Sequence, residues 1–358
     1  MFIIASVGLN NFSEDKVRKV ILAGADALRY SFSYGPLENT IERIKNGMKV
    51  IDELNSSAKI IVNLPSNKVR IASPHLPRKV MENEEVVLKS ANPACLLPPR
   101  DNNADIAQDN PLVVDEYIYV HLPELGNQVY INQITTIDEG KIALQVTEII
   151  NNETIRVKFL NEGSIQSSLG IHFQQNTENE SYLNRVQDAL IKLEEVKPDY
   201  LAIPFINPTV NEKIKKLSDF SWQPKIIARI ENRSAIENLE QICQDNFYDL
   251  ILLNRGKLGL DMPFERLGIF QKEAIKIIKK YKKQVIISSQ ILEGTMHNYI
   301  PLRSDILDLT NIVLDDADGI MLCNETALSS RPAYTLSVAK KIILEAEKYL
   351  STEKQTQN

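Results

Sequence analysis

Short apolar runs alternate with longer stretches of helical period along most of this chain, and no other feature limits its fold so sharply. Phe2–Val7 is followed by Glu14–Ala23, Ala27–Phe32 by Glu38–Glu53, and Lys59–Leu64 by a break. The alternation resumes at Tyr200–Phe205, Lys225–Ile230, Asp249–Leu253, Gln284–Ser288 and Gly319–Leu322, each with an amphipathic stretch behind it, the last being Ala333–Leu350. Such units are βαβ crossovers and imply a parallel sheet. Eight of them without a glycine-rich dinucleotide fingerprint predict an α/β chain folded as a closed (β/α)8 TIM-type barrel rather than an open doubly wound sheet.

The break has a different grammar. V-V-L-K, Y-I-Y-V-H-L, Q-V-Y-I-N-Q, I-A-L-Q-V and I-R-V-K-F-L alternate at period two, separated by turn-rich segments such as D-E-G-K and I-N-N-E-T. They predict a small all-β domain, residues 71–175, inserted after strand 3 of a barrel built from residues 1–70 and 176–350. Pro98, Pro99 and the polar run Arg100–Asn110 are expected to form a mobile loop within it, and residues 351–358 a frayed tail.

Composition narrows the function classes. With 43% hydrophobic residues, 25% charged residues and a formal net charge of -6, the chain is an ordinary globular one with no general attraction to nucleic acid or to an anionic membrane surface. Cys95, Cys243 and Cys323 are odd in number and lack C-x-x-C spacing, which argues for buried thiols in a reducing compartment. No basic, apolar leader precedes Asn10 and Asn11, and no apolar run reaches membrane-spanning length, so a cytoplasmic location is expected.

Charge gathers between Ile226 and Gly259. If the fifth and sixth barrel strands are neighbours, Arg229, Glu231, Arg255, Gly256 and Lys257 meet at strand carboxyl ends, where barrel enzymes do chemistry. Arg229 and Glu231, at i and i+2, either form a structural ion pair in the barrel mouth or contact a ligand. His75, His121, His172 and His297 are scattered without metal spacing, and the basic run Lys276–Lys283 is a solvated helix end.

Six segments carry a family resemblance. K-I-I-A-R-I-E-N (Lys225–Asn232), N-R-G-K-L-G (Asn254–Gly259), S-S-Q-I-L-E (Ser288–Glu293) and N-I-V-L-D-D-A-D-G-I-M-L-C-N-E-T-A (Asn311–Ala327) resemble pyruvate kinases, as do L-R-Y-S-F-S-Y-G (Leu28–Gly35) and D-E-G-K-I-A-L-Q-V (Asp138–Val146). The resemblance implies a barrel interrupted after strand three by a lid domain, and phosphoryl transfer from phosphoenolpyruvate to ADP with Mg2+ and K+. It also implies a small anionic substrate, a nucleotide (ADP or ATP) as partner, and a homodimer built barrel to barrel. The family's further C-terminal domain, which carries effector binding, has no counterpart after the eighth helix, so effector control of that kind is not expected.

Carried over residue by residue, the resemblance gives Arg29, Ser31, Ser33, Arg70, Arg255, Gly256 and Glu293 to substrate binding. It gives Arg229, Lys257 and Ser289 to the catalytic positions, and Glu231 to the metal. Ser31 stands where the family has asparagine, and Asn63 and Leu64 stand where it has the aspartate and threonine beside K+. Arg229 replaces a lysine, and Lys257 replaces the second carboxylate of the Mg2+ site. A neutral amide and a leucine are poor partners for a hard cation, and a lone carboxylate flanked by cations is a poor Mg2+ site.

These departures predict that Lys257 pairs with Glu231 as a tethered cation in the metal's place, that K+ is not held, and that ordinary kinase turnover is very slow. Three functions remain open at this point: a pyruvate-kinase-like phosphotransferase, a biosynthetic enzyme repurposed for a small phosphorylated or carboxylated ligand, and a non-catalytic pseudoenzyme or scaffold.

Overall fold

The computed structural model describes residues 1–8, 13–33, 36–66, 69–72, 77–91, 117–166, 169–173 and 180–356. The chain opens with β1 (Phe2–Ser6), α1 (Glu14–Leu22), β2 (Ala27–Ser31), α2 (Leu37–Glu53) and β3 (Lys59–Asn63). A run of short strands follows: β4 (Arg78–Val80), β5 (Glu85–Ser90), β6 (Tyr117–Val120), β7 (Ile134–Ile137), β8 (Ile142–Asn151), β9 (Thr154–Phe159), β10 (Gly163–Ile165) and β11 (Ile171–His172). Helices then return with α3 (Glu180–Leu193), β12 (Tyr200–Pro204), α4 (Pro208–Leu217), β13 (Lys225–Ile230), α5 (Arg233–Glu237) and α6 (Leu239–Gln244). The chain closes with β14 (Leu250–Asn254), α7 (Arg255–Asp261), α8 (Leu267–Lys280), β15 (Gln284–Ser288), α9 (Arg303–Leu314), β16 (Gly319–Leu322), α10 (Asn324–Ala327) and α11 (Pro332–Thr356).

Two compact units result, Met1–Ser66 with Glu178–Asn358, and Asn67–Thr177. In the first, parallel strands close in the order β1-β16-β15-β14-β13-β12-β3-β2, the eight-stranded barrel that the alternation predicts. Period-two alternation sorts the apolar side chains into two cores. Ile4, Ala27, Ile61, Ala202, Ile227, Leu252, Ile286 and Met321 pack together inside the barrel. Their chain neighbours, such as Ile3, Ala5, Leu28, Ile226, Ala228, Val285 and Ile287, face the helices and join the larger outer core.

At the amino ends of the strands an aspartate device repeats. Asp26, Asp199, Asp249 and Asp318 stand immediately before β2, β12, β14 and β16. Their carboxylates accept from Ile3 N at 2.8 Å, Ile60 N at 2.9 Å, Ile226 N at 2.7 Å and Val285 N at 2.8 Å, each on the preceding strand of the barrel. Backbone donors that the ladder leaves over are thereby satisfied. Helix starts use side chains in the same way: Asn207 accepts from Val210 N at 2.9 Å ahead of α4, and Asn232 from Ala235 N at 2.7 Å ahead of α5.

In the second unit a six-stranded sheet runs β11-β7-β8-β9-β5-β6, and β4 pairs with β10. Val86, Leu88, Ile118, Val120, Leu144, Val146, Ile155, Val157 and Phe159 form its core. One strand expected from sequence is absent: Gln128 ends a 3-10 helix, Val129–Gln133 is irregular with a turn at Ile131 and Asn132, and the strand begins only at Ile134. Asn132 takes a left-handed φ of 68°, Gln133 Oε1 accepts from Tyr130 N at 3.1 Å, and Tyr130 and Ile131 are exposed, so the alternating apolar side chains there do not share one buried face. The expected loop Arg100–Asn110, Cys95 and His75 lie outside the described residues.

α11 continues to Thr356, because Ser351 to Thr356 contain neither glycine nor proline, and the Ser351 and Thr352 hydroxyls bond back to Lys348 O.

Candidate functional site

On β2, β3, β13, β14 and β15 the inward face keeps its alternation to the carboxyl end, and there it turns polar. Two residues beyond Ala27 comes Arg29; beyond Ile61, Asn63; beyond Ile227, Arg229 and then Glu231; beyond Leu252, Asn254; and beyond Ile286, Ser288. Strand spacing alone therefore delivers a ring of polar side chains to one barrel mouth. Asn232, besides capping α5, donates through Nδ2 to Phe205 O at 2.7 Å and Ile206 O at 3.2 Å, which fixes the end of β13 on which Glu231 sits.

Glu231 is the centre of this ring. It is 4% exposed, and three side chains grip its carboxylate: Lys257 Nζ donates to Oε1 at 2.7 Å, Arg229 Nη2 to Oε2 at 2.7 Å, and Asn254 Nδ2 to Oε2 at 3.3 Å. Burial by itself would raise its pKa, but the Arg229 and Lys257 charges outweigh that and hold it down at about 2. Arg229 is equally buried, and its Nη1 has no hydrogen-bond partner among the described residues. A buried guanidinium N–H left over in this way is an exception to the rule that buried donors find acceptors.

A second set lies on β2, β3 and the turns behind them. With the Asn63 amide turned to suit its surroundings, its oxygen accepts from Arg29 Nε at 3.1 Å and Nη2 at 2.6 Å. Ser31 Oγ accepts from Ser33 N at 3.2 Å, and the Ser33 and Ser66 hydroxyls are 3.4 Å apart. Ser31 and Asn63 are both buried, as Arg229 and Glu231 are.

Lys257 and Gly256 lie in the first turn of α7, and Arg255 begins that helix. Every nitrogen of the Arg255 guanidinium has a protein acceptor: Asp308 takes two bonds at 2.7 and 2.8 Å, Ser289 O two at 3.2 and 2.8 Å, Gln290 O one at 3.2 Å, and Gln271 one at 3.4 Å. Ser289 Oγ donates to Asn254 Oδ1 at 2.9 Å. Glu293 opens a short 3-10 turn, Glu293–Met296, and its charge helps raise the buried Glu325 carboxyl. Arg70 is in the second unit, where its backbone bridges to Gly170.

Sequence reading did not single out Asn254, Asp308 or Glu325. Asn254 stands inside the quoted N-R-G-K segment and could have been read as the inward residue two past Leu252. Asp308 gave no such signal, since it lies on α9, remote in sequence from the Arg255 it binds; Glu325 stands inside the quoted Asn311–Ala327 segment, but nothing in that segment shows that its carboxylate reaches Ile291 N as well as Cys323 N.

Comparison with known proteins gives one consistent family. The family model "Pyruvate kinase, barrel domain" matches residues 1–336. The chain is 29% identical over 353 residues to the pyruvate kinase of Thermococcus litoralis, covering 97% of this chain and 70% of that protein. It is 28% identical over 354 residues to the enzyme of that name from Buchnera aphidicola subsp. Schizaphis graminum, covering 97% and 69%, and 28% identical over 356 residues to that of Thermotoga maritima, covering 97% and 71%.

Proposed function

The chain belongs to the pyruvate kinase family, and from the way its own residues fill the barrel mouth we propose that it binds a small phosphate- or carboxylate-bearing anion there without the family's metals. One observation carries this reading: the Lys257 ammonium sits 2.7 Å from Glu231 Oε1 while Arg229 and Asn254 occupy Oε2. A Mg2+ ion needs one or two carboxylates with oxygens to give, and this carboxylate has both already committed to cations. The donor set thus does not fit Mg2+, and Asn63, bonded to Arg29, is a poor K+ ligand.

What remains suits an oxyanion. The unpaired Arg229 Nη1 supplies a buried donor, and Lys257 supplies positive charge close to it. Phosphoryl transfer relies on positive charge placed where donor and acceptor oxygens meet, and metal ions normally provide most of it. Arg229 and Lys257 keep an anion bound and oriented, but Lys257 is tied to Glu231 and does not bridge two ligands as a divalent ion does. Phosphoenolpyruvate-to-ADP transfer is accordingly slow in this chain.

A coupled assay with phosphoenolpyruvate, ADP, Mg2+ and K+ tests the reading. The expected kcat is at least ~100-fold below the roughly 10 s−1 typical of enzymes. Robust, metal-dependent pyruvate formation overturns it. Calorimetry with phosphoenolpyruvate in the presence of a chelator is the complementary arm: metal-free binding supports an anion site, and its absence leaves only a scaffold.

A further inference from the structure

The turn that follows β15 runs through backbone conformations that side chains disfavour. Ser289, Gln290 and Leu292 have φ values of 78°, 53° and 62°, the left-handed region, and none is glycine. Such residues persist only where the surroundings over-determine them, and they gather at functional sites. Here the surroundings can be named: Arg255 donates to the carbonyls of Ser289 and Gln290, Glu325 Oε1 accepts from Ile291 N at 3.1 Å, and Thr295 Oγ1 donates to Leu292 O at 2.7 Å.

Arg255 is the part of this frame that reaches the site. It and its neighbour Asn254 grip Ser289 by both oxygens: Arg255 Nε and Nη2 bind the carbonyl, and Asn254 Oδ1 accepts from the hydroxyl at 2.9 Å. Asn254 then passes its amide to Glu231 Oε2 at 3.3 Å. Behind Arg255, the two Asp308 oxygens hold the far edge of the guanidinium at 2.7 and 2.8 Å. A planar fork with donors on two edges can do this, whereas a lysine ammonium cannot reach both.

We propose that Arg255 is a positioning residue: braced by Asp308, it holds the left-handed Ser289–Leu292 turn so that Ser289, Asn254 and Glu231 keep one geometry at the barrel mouth. It does not touch the ligand, since all its donors are spent on protein acceptors. The resemblance gives Arg255 to substrate binding; the geometry gives it to the loop that supports the binding groups. The functional arm of its test rests on the anion-site reading above.

The test is amide hydrogen exchange on the full chain, together with calorimetric affinity for inorganic phosphate, for wild type, Arg255→Lys and Asp308→Asn. Arg255→Lys is expected to speed exchange at residues 290–292 at least ~10-fold while β13 and β14 are unchanged, and to weaken phosphate binding by a similar factor. Asp308→Asn, which leaves the fork in place but loosens its brace, moves both in the same direction by less. Gln290→Gly in the Arg255→Lys background accepts the left-handed φ without a Cβ and restores part of the affinity.

Unchanged exchange at 290–292, or exchange that rises equally through the barrel, overturns the proposal. So does local loosening with undiminished phosphate affinity, which makes Arg255 merely structural. If wild type binds no phosphate, the anion-site reading fails and takes the positioning role with it, and the local exchange pattern decides only whether Arg255 holds the turn.

Discussion

The Lys257 ammonium and the Glu231 carboxylate are 2.7 Å apart at the mouth of the barrel, on the face of Glu231 opposite Arg229. Unit charges at about 4 Å attract by roughly 4 kcal/mol at an effective dielectric of 20, enough for two cations to offset the burial of one carboxylate. Glu231 is held at about 2, below its ordinary 4.5. A depressed carboxyl stabilises the fold fully above its unfolded pKa and loses that contribution as pH falls through its folded value. About 3 kcal/mol is therefore expected to disappear between roughly pH 4.5 and pH 2. Lys257→Met should raise the Glu231 pKa and shift that loss to higher pH, as read by urea denaturation across the range. Identical acid profiles for variant and wild type would mean that the pair does not hold the carboxylate.

If Lys257 fills a place that a carboxylate could take, restoring the carboxylate should create a metal site. Lys257→Asp with Arg229→Lys gives Glu231 a second acid and removes the guanidinium from its Oε2. Mg2+ is expected to raise the Tm of this double variant and to leave wild type unmoved, since a ligand at 100 times its Kd stabilises by about 2.7 kcal/mol. No Mg2+ response from the double variant sinks the tethered-cation account.

How much of this was legible in the sequence depends on how far each group acts from its own segment. The barrel was readable because its strands are buried on both faces and all but β3 are followed by a helix, as with Lys225–Ile230 and α5. Arg229 and Glu231 were readable because i, i+2 spacing on a strand end puts both inward. The bracing of Arg255 was not, because Asp308 lies on α9 with no pattern that points back to α7. Gln128–Gln133 misled for the converse reason: alternation is a local signal, and only the left-handed Asn132 reveals that the segment turns. The four aspartates ahead of β2, β12, β14 and β16 carry no sequence signal of their role, because each accepts from a backbone N–H on a different strand.

That aspartate device makes a stability prediction far from the mouth. Asp318 accepts from the N–H of the fully buried Val285 at 2.8 Å and from Lys279 Nζ at 2.8 Å. Asp318→Ala leaves a buried backbone donor without its acceptor and should cost about 2 kcal/mol, within the usual range for such a loss. Asp318→Asn keeps an oxygen in place and should cost about half as much. Equilibrium denaturation measures both, and an alanine variant within ~0.5 kcal/mol of wild type would show that the device contributes nothing.

Glu325 responds to pH in the opposite sense to Glu231. Burial pushes its carboxyl up to about 7 and the Glu293 charge adds to the rise, against the backbone N–H groups of Cys323 and Ile291 that favour the ionised form. A carboxyl raised on folding keeps its proton in the native state while the unfolded chain has released it, so stability falls as pH climbs from about 4.5 towards 7 and then levels off. The loss over that window is roughly 3 kcal/mol for a shift of this size. Glu325→Gln cannot ionise and should escape it. Measured against wild type, the variant's unfolding free energy should improve steadily from pH 4.5 to pH 7.5, whatever constant offset the amide introduces. A difference that stays flat with pH would mean that Glu325 titrates alike in the folded and unfolded chains. Its grip on Ile291 N would then be an ordinary ionised hydrogen bond, with no reserve of strain behind it.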